Sequence, residues 1–405
     1  MATRHTFPVL LLAAALLAQG ASAQTPVRPA QFVVQPNVPS QYLGGVAMDG
    51  LGNVTFLWTS LVSTGSGLGE QVYFRRFSSA DTALSRAVRL EDPASFNAYG
   101  GGVAANQRGD FLITWSRSPV SGSGPSESFL RRMSPVLPTL TLSLKAPADV
   151  AVDRNGNFVA VWVASTSSGL QVLGQRYNFD GTTRGPEFNA ATSTTGDHTS
   201  PSVAMNPKTG EFVVVWEVRD VDGNGLGVYG QRFGFATGRQ GSEFAIFVPP
   251  ASQRPDLITP FAPQVARASN GRFVVIWRGV GTGLTPVKVL GQRYNSGGEK
   301  LGAQLAIAEE DIPDSHPQIA MAPQGDFVVA WDDQGTSPAW FRLFHSDGTP
   351  AGPVIEQPPM GTAFYHGSGR VTFGWSNTFV YGWTNYLDDG PDGNTISFQR
   401  FNGAP

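Results

Sequence analysis

Seven times along the chain, a short apolar run meets a polar turn and is followed by a second apolar run that ends in tryptophan. The copies are VAMDGLGNVTFLW ending at Trp58, VAANQRGDFLITW at Trp115, VAVDRNGNFVAVW at Trp162, VAMNPKTGEFVVVW at Trp216, VARASNGRFVVIW at Trp277, IAMAPQGDFVVAW at Trp331 and the looser VTFGWSNTFVYGW at Trp383. The tryptophans are spaced by 57, 47, 54, 61, 54 and 52 residues. A third apolar segment follows, VYGQRF (Val228–Phe233) in the fourth copy and VLGQRY at Val172–Tyr177 and Val289–Tyr294. A fourth is GSEFAIF (Gly241–Phe247), echoed by GPEFNA (Gly185–Ala190) and GAQLAIA (Gly302–Ala308). Turn residues separate all four, and strands joined by short turns pair antiparallel. Four short strands repeating roughly every 50 residues predict the blades of an all-β propeller.

The two ends of the pattern are complementary. The seventh unit stops after its third strand, Ser397–Phe401, and AQFVVQP (Ala30–Pro36) stands ahead of the first complete unit. Placing residues 30–36 on the outer edge of the last blade completes both and covers a strand edge that would otherwise stay open. The expected architecture is therefore one seven-bladed domain over residues 24–405, with four-stranded antiparallel blades and an N-terminal closing strand.

The FVVVW…GVYGQRF…GxEF unit resembles a repeat of large secreted and surface proteins of bacteria, generally regarded as propeller blades. The likeness covers nearly all of the chain beyond the N-terminal leader and is sharpest in units three to five. It implies a fold and transfers no catalytic residue.

Residues present in nearly every unit are explained by what every blade must do, which is to pack on its neighbours. This applies to the seven tryptophans. It also applies to Arg76, Arg132, Arg176, Arg232, Arg293 and Arg400, which are expected to pair with Glu187, Glu243 or a backbone carbonyl; Leu343 replaces the arginine in unit six. Function is better sought where the repeat is broken. The segments leading into the first strands carry Asp197 and His198, Asp314 and His316, and His366. The turns between second and third strands carry Asp332, Asp333, Asp388, Asp389 and Asp392. In an antiparallel blade these two sets lie on one face, near the mouth of the central channel. They form the candidate binding surface.

Asp220-x-Asp222-x-Asn224-Gly225 matches the first half of a calcium loop, so Asp220, Asp222 and Asn224 are candidate metal ligands. Gln231 stands where the bidentate Glu belongs, and Gln recurs there as Gln175, Gln292 and Gln399. The loop therefore reads as a solvated hairpin turn, with calcium as the competing reading and no other cofactor expected. H-E-x-x-H, G-x-S-x-G and a complete phosphate loop are absent from the sequence.

Composition narrows the classes. MATRHTFPVLLLAAALLAQGASA has the layout of a cleavable signal peptide over residues 1–23, and no apolar run is long enough to span a bilayer. An exported chain without cysteine depends on packing alone. The net charge of −3 and the lack of a basic cluster point away from nucleic acid and from membrane insertion. The chain thus reads as a secreted or periplasmic monomeric propeller that binds an extracellular protein or a polysaccharide without catalysis. The alternative is a carbohydrate-active hydrolase or lyase with its site at the channel mouth, for which paired acids from distant blades would suffice.

Overall fold

The computed structural model describes residues 26–33, 41–64, 67–122, 124–219, 227–248, 262–280, 287–308, 316–332, 339–357, 365–386 and 394–404. Seven four-stranded antiparallel sheets follow one another around a ring. Blade four shows the plan, with strands Asp197–Met205, Phe212–Arg219, Gly227–Gly234 and Gly238–Phe247, each paired with the next. The first strand of each blade lies innermost, and the fourth outermost.

Blade seven is built from both ends of the chain. Its strands Tyr365–Phe373, Thr378–Tyr386 and Thr395–Asn402 are joined on the outside by Gln31–Phe32, with Gln31 opposite Phe398 and Phe32 opposite Ser397. The ladder extends further, since the Val27 N–H donates to Arg400 O and the Val33 N–H to Ile396 O, both at 2.8 Å. Residues 34–36 of the expected closing strand lie outside the described residues.

The polar turn between first and second strands is local chemistry repeated. A buried Asx side chain caps it in blades one to four: Asp49, Asn106, Asp153 and Asn206 each accept two backbone N–H groups from the residues that follow. The glycine that closes the turn sits at positive φ in six blades, from 71° at Gly210 to 114° at Gly325, where a Cβ would be strained. Blade seven uses Asn377, at φ 54°, the side chain that best tolerates that region.

All seven framework tryptophans are buried between sheets. Each apolar cluster joins strands of successive blades, as where Val214 and Trp216 of blade four meet Val159 and Val161 of blade three. The arginines reach across the same seams. Arg176 donates to Phe235 O of blade four (3.0 Å), Arg232 to Ser296 O of blade five (3.0 Å) and Arg293 to Ser346 O of blade six (3.2 Å). The backbone-carbonyl expectation holds for these. Glu187 instead pairs with Lys145, and Glu243 accepts the Thr192 N–H. Two arginines meet carboxylates that were not expected: Arg76 reaches Asp49 and Arg400 reaches Asp81.

Candidate functional site

The seven innermost strands share the core Val-Ala, or its close variants, and the residue just before it stands at the channel mouth. Aligned on that core, GGVAM, GGVAA, ADVAV, PSVAM, PQVAR, PQIAM and GRVTF place Gly45, Gly102, Asp149, Ser202, Gln264, Gln318 and Arg370 at one repeat position. Packing asks nothing in common of these seven residues, and they share no chemistry. Gly44, Gly45, Gly102, Asp149, Gln318 and Arg370 line a cavity of about 140 Å³ at this end of the channel. In blades one, two, four and seven the pairing register shifts at or just before this position, at Leu43/Gly45, Gly100/Val103, Thr199/Ser202 and Gly367/Arg370. A bulge re-aims the side chain that follows it.

Three of the polar members lean toward the next blade, while Gln318 donates to Pro317 O of its own blade. Asp149 Oδ2 accepts the Val203 N–H and its Oδ1 the Val150 N–H, both at 2.9 Å. Ser202 Oγ accepts the Val265 N–H at 3.4 Å. Arg370 donates from Nε to Gly44 O at 3.0 Å. Around the ring, Arg370 and Asp149 therefore flank the two glycine positions of blades one and two. The mouth has a cation on one side, a carboxylate on the other, and bare backbone between them.

A second ring stands one step outward, at the residue after each framework tryptophan: Thr59, Ser116, Val163, Glu217, Arg278, Asp332 and Thr384. Glu217, Arg278 and Asp332 are buried despite their charge. Here too the side chains stitch seams. Thr59 Oγ1 accepts the Gly100 N–H, Thr384 Oγ1 the Leu43 N–H, and Asp332 Oδ2 the Gly369 N–H at 3.1 Å. Asp332 Oδ1 and the hydroxyl of fully buried Tyr381 have no partner among the described residues. Burial, and then the Asp332 charge, push the Tyr381 phenol well above its ordinary range.

Asp149 is the titratable group of the mouth. Burial raises its carboxyl from the usual carboxylate range to about 6, against the hydrogen bonds from Val203, Val150 and Ser202 that lower it. Because the folded value exceeds the unfolded one, this group's contribution to stability is fullest below the unfolded pKa. It declines as pH rises toward 6 and is flat above. Asp149→Asn is expected to abolish that decline. At pH 7 the variant should match the parent or exceed it by up to about 2 kcal/mol, the shift being discounted for partial solvent screening. Urea unfolding at pH 4, 5, 6 and 7 checks this, and a variant markedly less stable at pH 7 contradicts it.

The candidates read from sequence are distributed differently. In blade four the first strand begins at Asp197, so Asp197 and His198 are strand residues rather than loop residues above the rim. Asp197 Oδ1 accepts the Leu170 N–H of blade three at 2.8 Å. His198 is 1% exposed, shares a hydrogen bond with Thr195 O at 3.2 Å and lies 6.3 Å from the Trp216 ring; burial lowers its pKa. Asp332 belongs to the second ring. His316 is exposed at the start of blade six. His366 lies on the first strand of blade seven, opposite Asn385. Asp314, Asp333, Asp388, Asp389 and Asp392 lie outside the described residues, as do Asp220, Asp222 and Asn224. Among the described residues no three His, Asp or Glu side chains gather as a metal site.

No protein-family model matches the sequence, and no curated protein does. Among solved structures the chain is similar to the polysaccharide lyase Uly1, with a TM-score of 0.54, 9% identity and 94% of each chain covered. It is also similar to the phage phi92 endosialidase, with a TM-score of 0.50, 10% identity, and coverage of 93% of this chain and 69% of that one. At these identities the likeness is one of fold, and it agrees with the resemblance read from the repeats.

Proposed function

We propose that this chain is an exported propeller whose channel mouth binds a polysaccharide segment. The observation that carries the reading is the ring of Asp149, Ser202, Gln264, Gln318 and Arg370 at one repeat position. Donors and acceptors of both charge signs converge there beside a glycine-lined gap, and a polyhydroxylated chain offers both partners at every sugar. Asp149 strengthens the case. Its carboxylate is held in a place that disfavours its charge, although Thr or Ser makes the same kind of seam contact in other blades. A residue that costs stability where a neutral one would serve is the mark of a functional site. The names of the two similar structures, a polysaccharide lyase and an endosialidase, fit a glycan ligand. The leader over residues 1–23 places the protein outside the cytoplasm in this reading, and among the described residues no helix is long and apolar enough to cross a membrane.

One observation favours a second reading, catalysis of glycan cleavage. A carboxyl near pH 6 in a concave site can hold a proton at neutral pH and release it during a reaction. A polysaccharide array read for both retention and cleavage separates the two. Binding predicts retention without new chain ends, and a loss of about tenfold or more in Arg370→Gln, the scale of one charge-assisted hydrogen bond. Cleavage that follows a group ionising near pH 6 and vanishes in Asp149→Asn establishes the enzyme instead. Retention indifferent to both substitutions sinks the mouth as the site.

A further inference from the structure

We infer that the outer groove between blades five and six is a second saccharide site, one that takes a single pyranose ring against the Trp340 indole. The groove encloses about 260 Å³ and is lined by Ala306, Ile307, Ala308, Trp331, Trp340, Arg342 and Val354. Its room comes from a small residue at the seam, in a place where blade four carries a phenylalanine. Between blades four and five, Phe247 lies opposite Val228 and stacks on Trp277, with ring centroids 5.7 Å apart. Ala308 holds the equivalent place opposite Val289, so Trp331 has no such cover. In blades one and two the framework tryptophan stacks instead on the residue across the strand pair, Trp58 on Tyr73 and Trp115 on Phe129. Trp340 is the residue opposite Trp331, and among the described residues the two rings do not stack. Trp331 is buried and Trp340 half-buried, while Val354 at the rim is 43% exposed.

The lining specifies the ligand class. Indole faces bind the axial C–H face of a sugar ring, and their edges supply N–H donors to hydroxyls. Arg342 donates from Nε to Gly352 O at 3.3 Å, and among the described residues its terminal nitrogens have no protein acceptor. A flat apolar wall beside a guanidinium suits an amphipathic ring better than a purely apolar side chain, which would strand the charge. The volume lies just under that of drug-sized pockets, which fits one ring. The site extends the saccharide reading but shares no residue with the mouth, so either can fail alone.

Ligand-observed NMR with methyl glycosides of glucose, galactose and glucuronic acid tests the groove. Four variants are compared with the parent: Ala308→Phe, which fills the place as Phe247 does in blade four; Trp340→Ala; Arg342→Gln; and the mouth double variant Asp149→Asn/Arg370→Gln. At least one glycoside is expected to bind the parent, and to bind Ala308→Phe and Trp340→Ala about fivefold or more weakly, the scale of one aromatic contact. It should bind the mouth variant unchanged. Binding lost only in the mouth variant overturns the groove and leaves the mouth intact. No glycoside binding, or binding indifferent to the three groove variants, overturns it as well. So does Trp340-dependent binding of the apolar dye anilinonaphthalene sulfonate without any glycoside, which marks a protein-docking pocket. Circular dichroism controls for folding; should Ala308→Phe fail to fold, Trp340→Ala and Arg342→Gln decide.

Discussion

Deleting residues 26–33 is expected to destabilise the whole ring by about 5 kcal/mol or more. Val33 is fully buried in a cluster with Leu43, Trp58 and Phe398, and one such side chain is worth roughly 1.5–3 kcal/mol. Hydrogen bonds add to this at about 1 kcal/mol each. They include Val27 N–H to Arg400 O, Val33 N–H to Ile396 O, Arg75 Nη1 to Val33 O at 2.6 Å, and Gln399 Nε2 to Arg28 O at 3.0 Å. The segment therefore ties blade seven to blade one as well as completing a sheet. Its removal also bares the edge of Thr395–Asn402, which is then free to pair with other chains. Thermal unfolding should show a lower midpoint, and size-exclusion chromatography concentration-dependent association. A synthetic peptide of residues 24–36 added in trans should reverse both. A truncated chain that stays monomeric with an unchanged midpoint would refute the closure argument.

The second large effect is expected from Arg400→Leu. Arg400 is 3% exposed and binds Asp81 Oδ1 through Nε at 2.8 Å, Gly52 O at 3.2 Å and Ser78 O at 3.4 Å. Asp81 is itself buried and also receives Arg28 at 2.9 Å. Breaking a buried pair from one side leaves a desolvated charge, at a cost of about 3–5 kcal/mol. Blade six provides the natural control. Leu343 occupies the same repeat position and is buried against an apolar cluster. An apolar residue is thus tolerated there where no carboxylate faces it. Denaturant unfolding of Arg400→Leu, Asp81→Asn and the double variant measures the coupling. The double variant should be less destabilised than the two singles added together, and strict additivity contradicts the pairing.

Much of this architecture was legible before any coordinates, because packing repeats. A tryptophan in each unit, a glycine after the polar turn in six of them and two unfinished chain ends all report on contacts that the blades make. The direction of the arginine latches was not legible, since Arg232 reaches Ser296 of the following blade and a single unit contains no trace of that geometry. The proposed mouth residues lie in a different layer from the candidates read from sequence. Loop acids and histidines draw attention as interruptions of the repeat, yet His198 turns inward beneath Trp216 because the strand continues past a bulge. The mouth residues lie inside the repeating strands. They emerge only when the copies are aligned on Val-Ala and on Trp and the columns beside them are compared. Asp149, Ser202, Gln318 and Arg370 then differ, while the residue that follows each stays Val or Ile.

Below the mouth the axis passes Val46, Val103, Val150, Ile319 and Val371, and the space beneath them, about 280 Å³, is lined by Ala and Met side chains together with Arg267 and Thr372, down to Pro207, Pro323 and Trp375. A ligand passing the mouth would therefore meet one guanidinium and one hydroxyl among aliphatic walls. The two ends of the axis thus present different chemistry, a ring of mixed charge at one and Pro207, Pro323 and Trp375 at the other, and each is free to meet a different neighbour.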